Sequence, residues 1–552
     1  MRYLDKIGLA FVPLLLGLLF FAASLTPSLI PRDWLVQGIL GGLVMALGYL
    51  IGRFLLSVWR AMDLPEPANG LVKILQFICA APVILIVIIC LQKAQGWQNG
   101  IRTRMGMELV DTTNTLQMLF VAIIVFAVLV LLGFFVQLVF DKMRRWLYRL
   151  MPARTANVAG LVLTILVVWT ITDDGVLARV IDGLDKSYTV AQALFDTAPE
   201  RPLDARITSG AEGSFIDWAA MGSPGRNYVT SGPSAANIKA ISGAQAREPL
   251  RVYVGLAQAD SPQERSKLAL AELIRVGGFD RKVLIVALPT GTGWLDPGSL
   301  DPLEYMHGGN IATVAVQYSY LQSPLALVLE TRSGLDQATS LISTIHEHWR
   351  GLPPTDRPRL YIHGLSLGAW SSMHGTDIFA LLNDPIDGAF WVGPPFPSAF
   401  WQSIVSQRNP DSAYVAPIIR NGELVRFATG TQEPGGPDGW GDMRLMFLQY
   451  ASDPIVFYEP ASFFRAPAWM KEPAAADVSP DMDFIPVVTQ FQLAVDMALA
   501  TSPPAGHGHA YYAPDYIEPW VAVTNPENWS TSDTERLIAH CDAGFQLGCD
   551  HN

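Results

Sequence analysis

Long runs of apolar residues are concentrated in the first third of the chain. The five runs start at Ile7, Leu35, Leu71, Leu116 and Val158. The first four approach or exceed the roughly 20 apolar residues that a helix needs to cross a bilayer, whereas the fifth holds only about 15 to 18. The pattern predicts a transmembrane helical domain over residues 1–175 with about five helices. Buried helices of a soluble domain are the alternative.

The distribution of lysine and arginine predicts the orientation of these helices. The residues between the fourth and fifth runs include Lys142, Arg144, Arg145, Arg149 and Arg154. Short basic loops face the cytoplasm, so the chain after about residue 175 should lie on the extracytoplasmic side of an inner or plasma membrane. If the fifth run does not cross, the remainder is cytoplasmic instead. We expect the first run to be retained rather than cleaved as a signal peptide, because its apolar core is long and no clear A-x-A site follows.

A different pattern begins after residue 245, where short apolar segments alternate with amphipathic ones. The predicted strands are residues 250–257, 282–289, 311–321, 359–364, 388–393 and 445–452. Strands that are apolar throughout are buried on both faces, which is typical of a mainly parallel sheet covered by helices. Residues 246–552 are therefore predicted to form an α/β domain, and residues 176–245 a connector to the membrane domain.

Helices are predicted between these strands. The segment 261–277 starts with Ser261 as a cap and ends at Gly277, which is a capping box followed by a glycine stop. Residues 334–349 carry apolar side chains at helical spacing, and residues 484–500 are predicted to be mainly helical.

Composition supports the membrane interpretation and narrows the partners. Charged residues make up 16% of the 552-residue chain, against roughly 25% in ordinary soluble domains. The formal net charge of −12 argues against a nucleic-acid partner. The expected partners are a lipid bilayer and a small substrate, and the oligomeric state is left open.

A serine between two glycines follows the fourth predicted strand. In RLYIHGLSLGAWSS, the residues Gly364, Ser366 and Gly368 match G-x-S-x-G. The pattern is weak by itself, but a buried strand before it and a helix after it are the surroundings of a nucleophile elbow. The flanking glycines avoid collisions at a strained turn. Ser366 is therefore predicted to be a nucleophile rather than a small residue in a tight turn.

A serine hydroxyl needs a base, and the base needs a carboxylate. Asp453 follows the sixth predicted strand directly, with Pro454 after it, and this is the expected place for the acid. Asp387, Asp438 and Asp442 are weaker candidates.

The base is expected near the C-terminus, where PPAGHGHAYY supplies His507 and His509. The residues alone separate the two poorly, and His509 is slightly preferred because GHAYY leads into ordered chain. His363, directly before Gly364, is predicted to be a buried or site-lining histidine rather than the base.

Acyl transfer also needs donors for the developing oxyanion. The N–H of Leu367, the residue after the nucleophile, is one expected donor. The loop after the second predicted strand offers Thr290, Gly291 and Thr292 as the source of another, with an ordinary turn as the alternative. No cofactor and no catalytic metal is predicted.

Two cysteines lie close together near the C-terminus. Cys541 and Cys549 could form a disulfide in an oxidising compartment, remain free thiols, or bind a metal together with His540 and His551.

At residues 246–545 the chain resembles the α/β-hydrolase superfamily. More narrowly, it is similar to the bacterial membrane-linked α/β-hydrolase-like family, through SLTPSLIPR at 24–32 and the stretches HGLSLG and GHGHAY. The resemblance implies a serine hydrolase with a multi-helix N-terminal domain.

Taken together, the residues predict a membrane-tethered serine hydrolase that acts on a carboxylic ester, in one hypothesis an ester of a lipid or of an acylated envelope component. The loops 391–401 and 466–470 are hypothesised to line an acyl pocket, with ordinary packing as the alternative. Two alternative functions remain open: an acyltransferase that uses the same triad, and a catalytically inactive membrane-bound binding or assembly protein.

Overall fold

The structure is a computed structural model of the chain. It describes residues 9–62, 64, 69–149, 151–152, 155, 159–160, 162–164, 166, 199–204, 207–243, 245–320, 331–376, 384–430, 440–542 and 548–549. Most of the fifth apolar run, and residues 176–198 of the predicted connector, lie outside the described residues.

The first of two compact units consists of Met1–Val190, Pro460–Ala466 and Val478–Asp496. Its described helices from the N-terminal part of the chain are α1 (Phe11–Ser24), α2 (Trp34–Ala61), α3 (Asn69–Arg104) and α4 (Thr115–Leu147). Asp33 caps the start of helix α2, because its side chain accepts a hydrogen bond from the Val36 N–H.

Three helices of this unit are long and apolar enough to cross a membrane, namely the segments Trp34–Arg60, Gln76–Arg104 and Thr115–Leu147. Helix α1 has 14 residues and so spans roughly 21 Å, less than the ~30 Å of a hydrocarbon core. Among the residues that the structure describes, these three of the predicted membrane helices have the required length. Many of their exposed side chains are large and apolar, for example Leu131 at 64% exposure.

The SLTPSLIPR segment surrounds a carboxylate from the far end of the chain, within the first unit. Asp496 accepts hydrogen bonds from Ser28 Oγ (3.0 Å), from the Leu29 N–H (3.0 Å) and from Arg32 Nε (3.2 Å). The side chains of Arg32 and Asp496 are fully buried, and a buried charge is stable only when it is paired and hydrogen-bonded. The compact unit is thus discontinuous in sequence, whereas the predicted domains were linear segments.

The second compact unit consists of Ala191–Glu459, Pro467–Asp477 and Met497–Asn552, and it is built on a seven-stranded sheet. The strands are β1 (Leu250–Val254), β2 (Val283–Leu288), β3 (Ile311–Val316), β4 (Arg359–Leu365), β5 (Gly388–Val392), β6 (Val425–Ala428) and β7 (Arg444–Leu448). Their order is β1-β3-β2-β4-β5-β7-β6, and every pair is parallel. The predicted fold class, an α/β-hydrolase domain with a helical N-terminal region, is confirmed.

Helices in the rest of the chain are α5 (Gly222–Thr230), α6 (Ala235–Ser242), α7 (Pro262–Arg275), α8 (Pro297–Met306), α9 (Thr331–Gly351), α10 (Leu367–Gly375), α11 (Ala399–Val405), α12 (Pro454–Phe457), α13 (Val488–Ala498), α14 (Ala513–Thr524) and α15 (Thr531–His540). Short 3₁₀ helices lie at Leu256–Gln258, Gly278–Asp280, Pro354–Asp356, Arg420–Gly422 and Ala468–Lys471. The capping box of Ser261 and Glu264 is present at the start of α7.

The strand order predicts a crevice at the carboxyl ends of the central strands. The chain passes from β2 to β3 on one side and then returns to β4 on the other side of β2. Where the strand order reverses in this way, the loops after the two central strands separate at their carboxyl ends, and ligands bind there in open parallel sheets. The segments that follow β2 and β4 hold Thr290 and Ser366.

Candidate active site

Ser366 occupies a strained turn between β4 and α10. Its φ and ψ are 57° and −123°, a region that residues with a Cβ seldom occupy and that is found mostly at functional sites. The Ser366 N–H donates to the Val392 carbonyl (2.9 Å), and its carbonyl accepts from the Trp370 N–H (3.1 Å). The serine is thereby fixed beside the end of β5 and at the start of a helix, with 5% of its surface exposed.

The two flanking glycines are required by close backbone contacts. A Cβ on Gly368 would lie 2.0 Å from the Leu288 carbonyl oxygen at the end of β2, and a Cβ on Gly364 would lie 2.3 Å from the Gly368 carbonyl carbon. Both distances are far below contact, so the strand–turn–helix could not form with alanine at either position without a shift of the backbone.

Asp453 and His509 form a hydrogen-bonded pair at the same end of the sheet. The distance between His509 Nδ1 and Asp453 Oδ2 is 2.7 Å. Asp453 is completely buried, follows β7 within five residues, and uses Oδ1 to accept from the Ile455 N–H (2.9 Å) at the start of α12. A carboxylate in this position fixes the ring orientation and the Nδ1–H tautomer of a histidine.

The opposite ring nitrogen of His509 has no hydrogen-bond partner in the described part of the chain. Nε2 is buried and makes no hydrogen bond with any group of the described residues, so no hydrogen bond joins it to Ser366 Oγ. The ring nevertheless packs beside the elbow, because a Cβ on Gly393 would lie 2.7 Å from His509 Cε1, and Gly393 follows Val392, the residue that accepts from the Ser366 N–H. A buried unpaired nitrogen is rare, and this one is available to take a proton.

His507, the other candidate base, is not joined to Asp453. It is half-buried, and burial lowers its pKa. The Gly508 N–H donates to Ser452 Oγ (2.8 Å) and the His509 N–H to the Ala500 carbonyl (2.6 Å). These bonds fix the loop so that the second histidine, rather than the first, meets the carboxylate.

The weaker acid candidates lie elsewhere. Asp387 precedes β5 and accepts from the Leu360 N–H (2.8 Å) at the amino end of the sheet. Asp442 is exposed and precedes β7, and Asp438 lies outside the described residues.

Comparison with known protein families matches residues 250–537 to the alpha/beta-hydrolase family. Residues 25–233 match the N-terminus of an alpha/beta-hydrolase family. The chain belongs to the alpha/beta-hydrolase family. No curated protein matches it. Family membership agrees with the parallel sheet and supports a hydrolase-type activity.

The expected oxyanion donors of this alpha/beta hydrolase differ in availability. Leu367 is the first residue of α10, where N–H groups have no intrahelical acceptor. The Thr290 N–H instead donates to the Trp294 carbonyl (3.0 Å) and closes a turn, so it is not free for a ligand in this conformation. Within the described part of the chain, the N–H groups of Gly291 and Thr292 have no backbone acceptor.

His363 has a structural environment in the hydrolase. Its Nδ1 donates to the Phe390 carbonyl (2.8 Å), and its Nε2 lies 2.9 Å from Ser299 Oγ. Burial lowers its pKa to about 4, so the ring is neutral at ordinary pH. With both nitrogens occupied it cannot serve as the base.

Cys541 and Cys549 form a disulfide, one of the three possibilities left open by the sequence. His540, considered as a metal ligand, lies 3.0 Å from the Tyr305 hydroxyl through Nε2. Among the described residues, no group of three or more His, Cys, Asp or Glu side chains could hold a metal ion.

Two residues of the loop 391–401 do line an apolar cavity of about 380 Å³, namely Trp391 and Phe400. Val425 and Leu445 also line it, and they stand at the amino ends of β6 and β7. Ser366 follows the carboxyl end of β4, so the cavity gives no support to an acyl pocket beside the serine. In the loop 466–470, the Trp469 indole donates to the Phe457 carbonyl (3.0 Å).

Sequence reasoning overlooked Tyr511. Its hydroxyl donates to Asp453 Oδ2 (2.8 Å), the same oxygen that binds His509. The available signal was its spacing of two residues from His509, which puts two side chains on the same side of an extended chain.

Proposed function

We propose that this alpha/beta hydrolase is a membrane-anchored serine hydrolase that cleaves carboxylic esters through an acyl-enzyme on Ser366. The observation that carries the proposal is the pairing of a buried Asp453 with His509 at 2.7 Å, beside a serine held in a strained elbow. Its substrate is an ester of a lipid or of an acylated component of the cell envelope.

The first half of the reaction forms the acyl-enzyme. Ser366 Oγ attacks the ester carbonyl carbon while His509 Nε2 takes the hydroxyl proton, which requires a nitrogen with no other partner. Asp453 stabilises the imidazolium that results. The tetrahedral intermediate collapses, the bond to the alcohol oxygen breaks, and His509 returns the proton to the departing alcohol.

The second half regenerates the enzyme. Water attacks the acyl carbon and gives its proton to His509, the bond to Ser366 Oγ breaks, and the carboxylic acid leaves as the serine regains its proton. In both halves the oxyanion is stabilised by the Leu367 N–H and by an N–H of Gly291 or Thr292. Thr290 could contribute only if the turn to Trp294 opened.

One observation supports an extracytoplasmic hydrolase, because the Cys541–Cys549 disulfide is typical of oxidising compartments. Arg144 and Arg145 in the last turn of α4 predict that this end of the helix is cytoplasmic, so an extracytoplasmic hydrolase requires the fifth apolar run to cross the membrane as well. A cysteine at exposed Ala240 should therefore react with an impermeant maleimide on intact cells, in a chain with Cys79 and Cys90 replaced by alanine. A cysteine at exposed Trp146 should react only after permeabilisation.

A fluorophosphonate probe tests the nucleophile. The full-length protein in detergent should be labelled, Ser366→Ala should not, and the labelled peptide should contain residue 366. Ser371→Ala is the matched control, because Ser371 is also buried on α10 but bonds only to the Gly368 carbonyl. An unlabelled wild type, or equal labelling of Ser366→Ala, would overturn the proposal.

A further inference from the structure

The carboxylate of Asp453 has three donors, and one of them is not part of the proposed triad. Oδ1 accepts from the Ile455 N–H, whereas Oδ2 accepts both from His509 Nδ1 and from the Tyr511 hydroxyl. Asp453 is 0% and Tyr511 2% exposed, so water cannot replace the hydroxyl if it is removed. Tyr511 and His509 therefore bind the same carboxylate oxygen of Asp453.

The ring of Tyr511 is fixed as firmly as its hydroxyl. It meets the His509 ring edge to face, with centroids 5.5 Å apart and planes at 82°. It stacks on Tyr450 at 4.6 Å on another side, and a Cβ on Gly393 would lie 2.8 Å from its Cε2. The same side chain thus limits both the position of the imidazole ring and the geometry of the carboxylate.

We infer that Tyr511 is a positioning residue of the proposed triad, which holds the acid–histidine pair in place and moderates the basicity of His509 through the carboxylate they share. This inference rests on the function proposed above. Burial and the charge of Asp453 raise the pKa of Tyr511 well above its usual value, so the phenol remains a donor throughout the working pH range.

The direction of the effect follows from the hydrogen bond. A donor to a carboxylate stabilises its charge and weakens its attraction for a neighbouring cation. Without the Tyr511 hydroxyl, Asp453 would hold the protonated form of His509 more strongly. Because the reaction needs the neutral ring as base, the acid limb of the pH–rate profile would move to higher pH.

Several titratable groups face this cluster from the surrounding elements: Asp453, His507, Tyr450, Tyr516, Asp515, Asp296 and Asp477. Burial raises the pKa of both Asp296 and Asp515 to about 6, which is within the range of the acid limb. Their tyrosine partners provide controls, because Tyr450 donates to Asp515 and Tyr516 to Asp296.

The experiment compares three single-hydroxyl deletions in the full-length enzyme: Tyr511→Phe, Tyr450→Phe and Tyr516→Phe. The rate of fluorophosphonate labelling at Ser366 is measured from pH 4 to 9. We expect Tyr511→Phe to label about tenfold more slowly and to show an acid-limb midpoint at higher pH, while both controls keep the wild-type midpoint. A loss of thermal stability common to all three, with unchanged midpoints, would overturn the inference and leave Tyr511 a packing residue.

A second variant guards against a Tyr511→Phe protein that does not fold. Incorporation of 3,5-difluorotyrosine at 511 keeps the ring and makes the hydroxyl a stronger donor, so the midpoint should move to lower pH. A midpoint unchanged or moved upward would contradict the inference. If Ser366→Ala is still labelled, the proposed function fails instead, and the two failures are therefore distinguishable.

Discussion

Similar apolar sequences have opposite exposure in the two compact units. In β2 of the sheet unit, the six residues VLIVAL are at most 2% exposed, because protein covers both faces of a parallel sheet. In α4 of the helical unit, only Met118, Ala122, Phe126 and Leu147 are buried among 33 residues. A helix that is apolar on its outer face is stable when lipid surrounds it. Run length, rather than hydrophobicity, separates the two cases.

Two buried polar clusters, one in each unit, also differ. In the helical unit, the fully buried Arg32 and Asp496 pair with each other, and the carboxylate accepts further hydrogen bonds from Ser28 and Leu29. In the sheet unit, His509 Nε2 is buried and has no hydrogen-bond partner among the described residues. Buried polar groups are usually paired, and exceptions are expected at sites that bind or transfer a proton.

The largest loss of activity is expected when His509 is replaced. His509→Ala should lower kcat/KM for an activated ester about 10⁴-fold, because a triad acts as a unit. His507→Ala should retain activity within about tenfold, since it changes the loop but not the pair with Asp453. Initial rates with a p-nitrophenyl ester measure both. A greater loss of kcat/KM in His507→Ala than in His509→Ala would reverse the assignment of the base.

Leucine truncation tests the exposure difference directly. Leu284→Ala in β2, where the side chain is 0% exposed, should reduce the free energy of unfolding by about 2–5 kcal/mol. Leu131→Ala in α4, at 64% exposure, should cost less than about 1 kcal/mol, because lipid tails solvate leucine as well as a protein surface does. Thermal unfolding of the protein in nanodiscs provides the measurement. Equal losses would mean that Leu131 faces protein.

Two glycines extend the comparison to the backbone. Gly368→Ala should destabilise the sheet unit by about 1–3 kcal/mol and abolish labelling of Ser366, since its Cβ would meet the Leu288 carbonyl oxygen. A Cβ on Gly133 in α4 would meet no atom within 4 Å. Gly133→Ala should therefore be neutral, or raise the free energy of unfolding by up to about 1 kcal/mol. Labelling of both variants at equal total protein separates the two results. Normal labelling of Gly368→Ala would contradict the elbow geometry.

Features set by neighbouring residues were predictable from the sequence. The strained turn at Ser366 and the place of Asp453 after β7 both depend on a strand followed directly by a turn, and their order along the chain is the one expected of this sheet. Strand β6 was not predicted, because its four residues include Arg426 and are too few to establish alternation.

Features set by distant residues were not predictable. His507 and His509 are each preceded by glycine, and only the approach of Asp453, 56 residues away along the chain, distinguishes them. The hydroxyl of Tyr511 and the partner of Arg32 were missed for the same reason, since sequence periodicity carries no information about which carboxylate folds onto a given donor. His363 was predicted to be a buried or site-lining histidine because it lies at the end of a strand, and its exposed fraction is 3%.

The bond between Arg32 and Asp496 joins residues 464 positions apart, and this separation has a consequence during synthesis. At the usual 5–20 residues per second, the guanidinium of Arg32 leaves the ribosome roughly 25–90 s before its carboxylate exists. Until then the SLTPSLIPR segment carries an unmatched cation that cannot be buried in a nonpolar environment. The helical unit is therefore completed after most of the sheet unit has been translated, and a nascent chain stalled before residue 478 should remain a substrate for chaperones and membrane proteases.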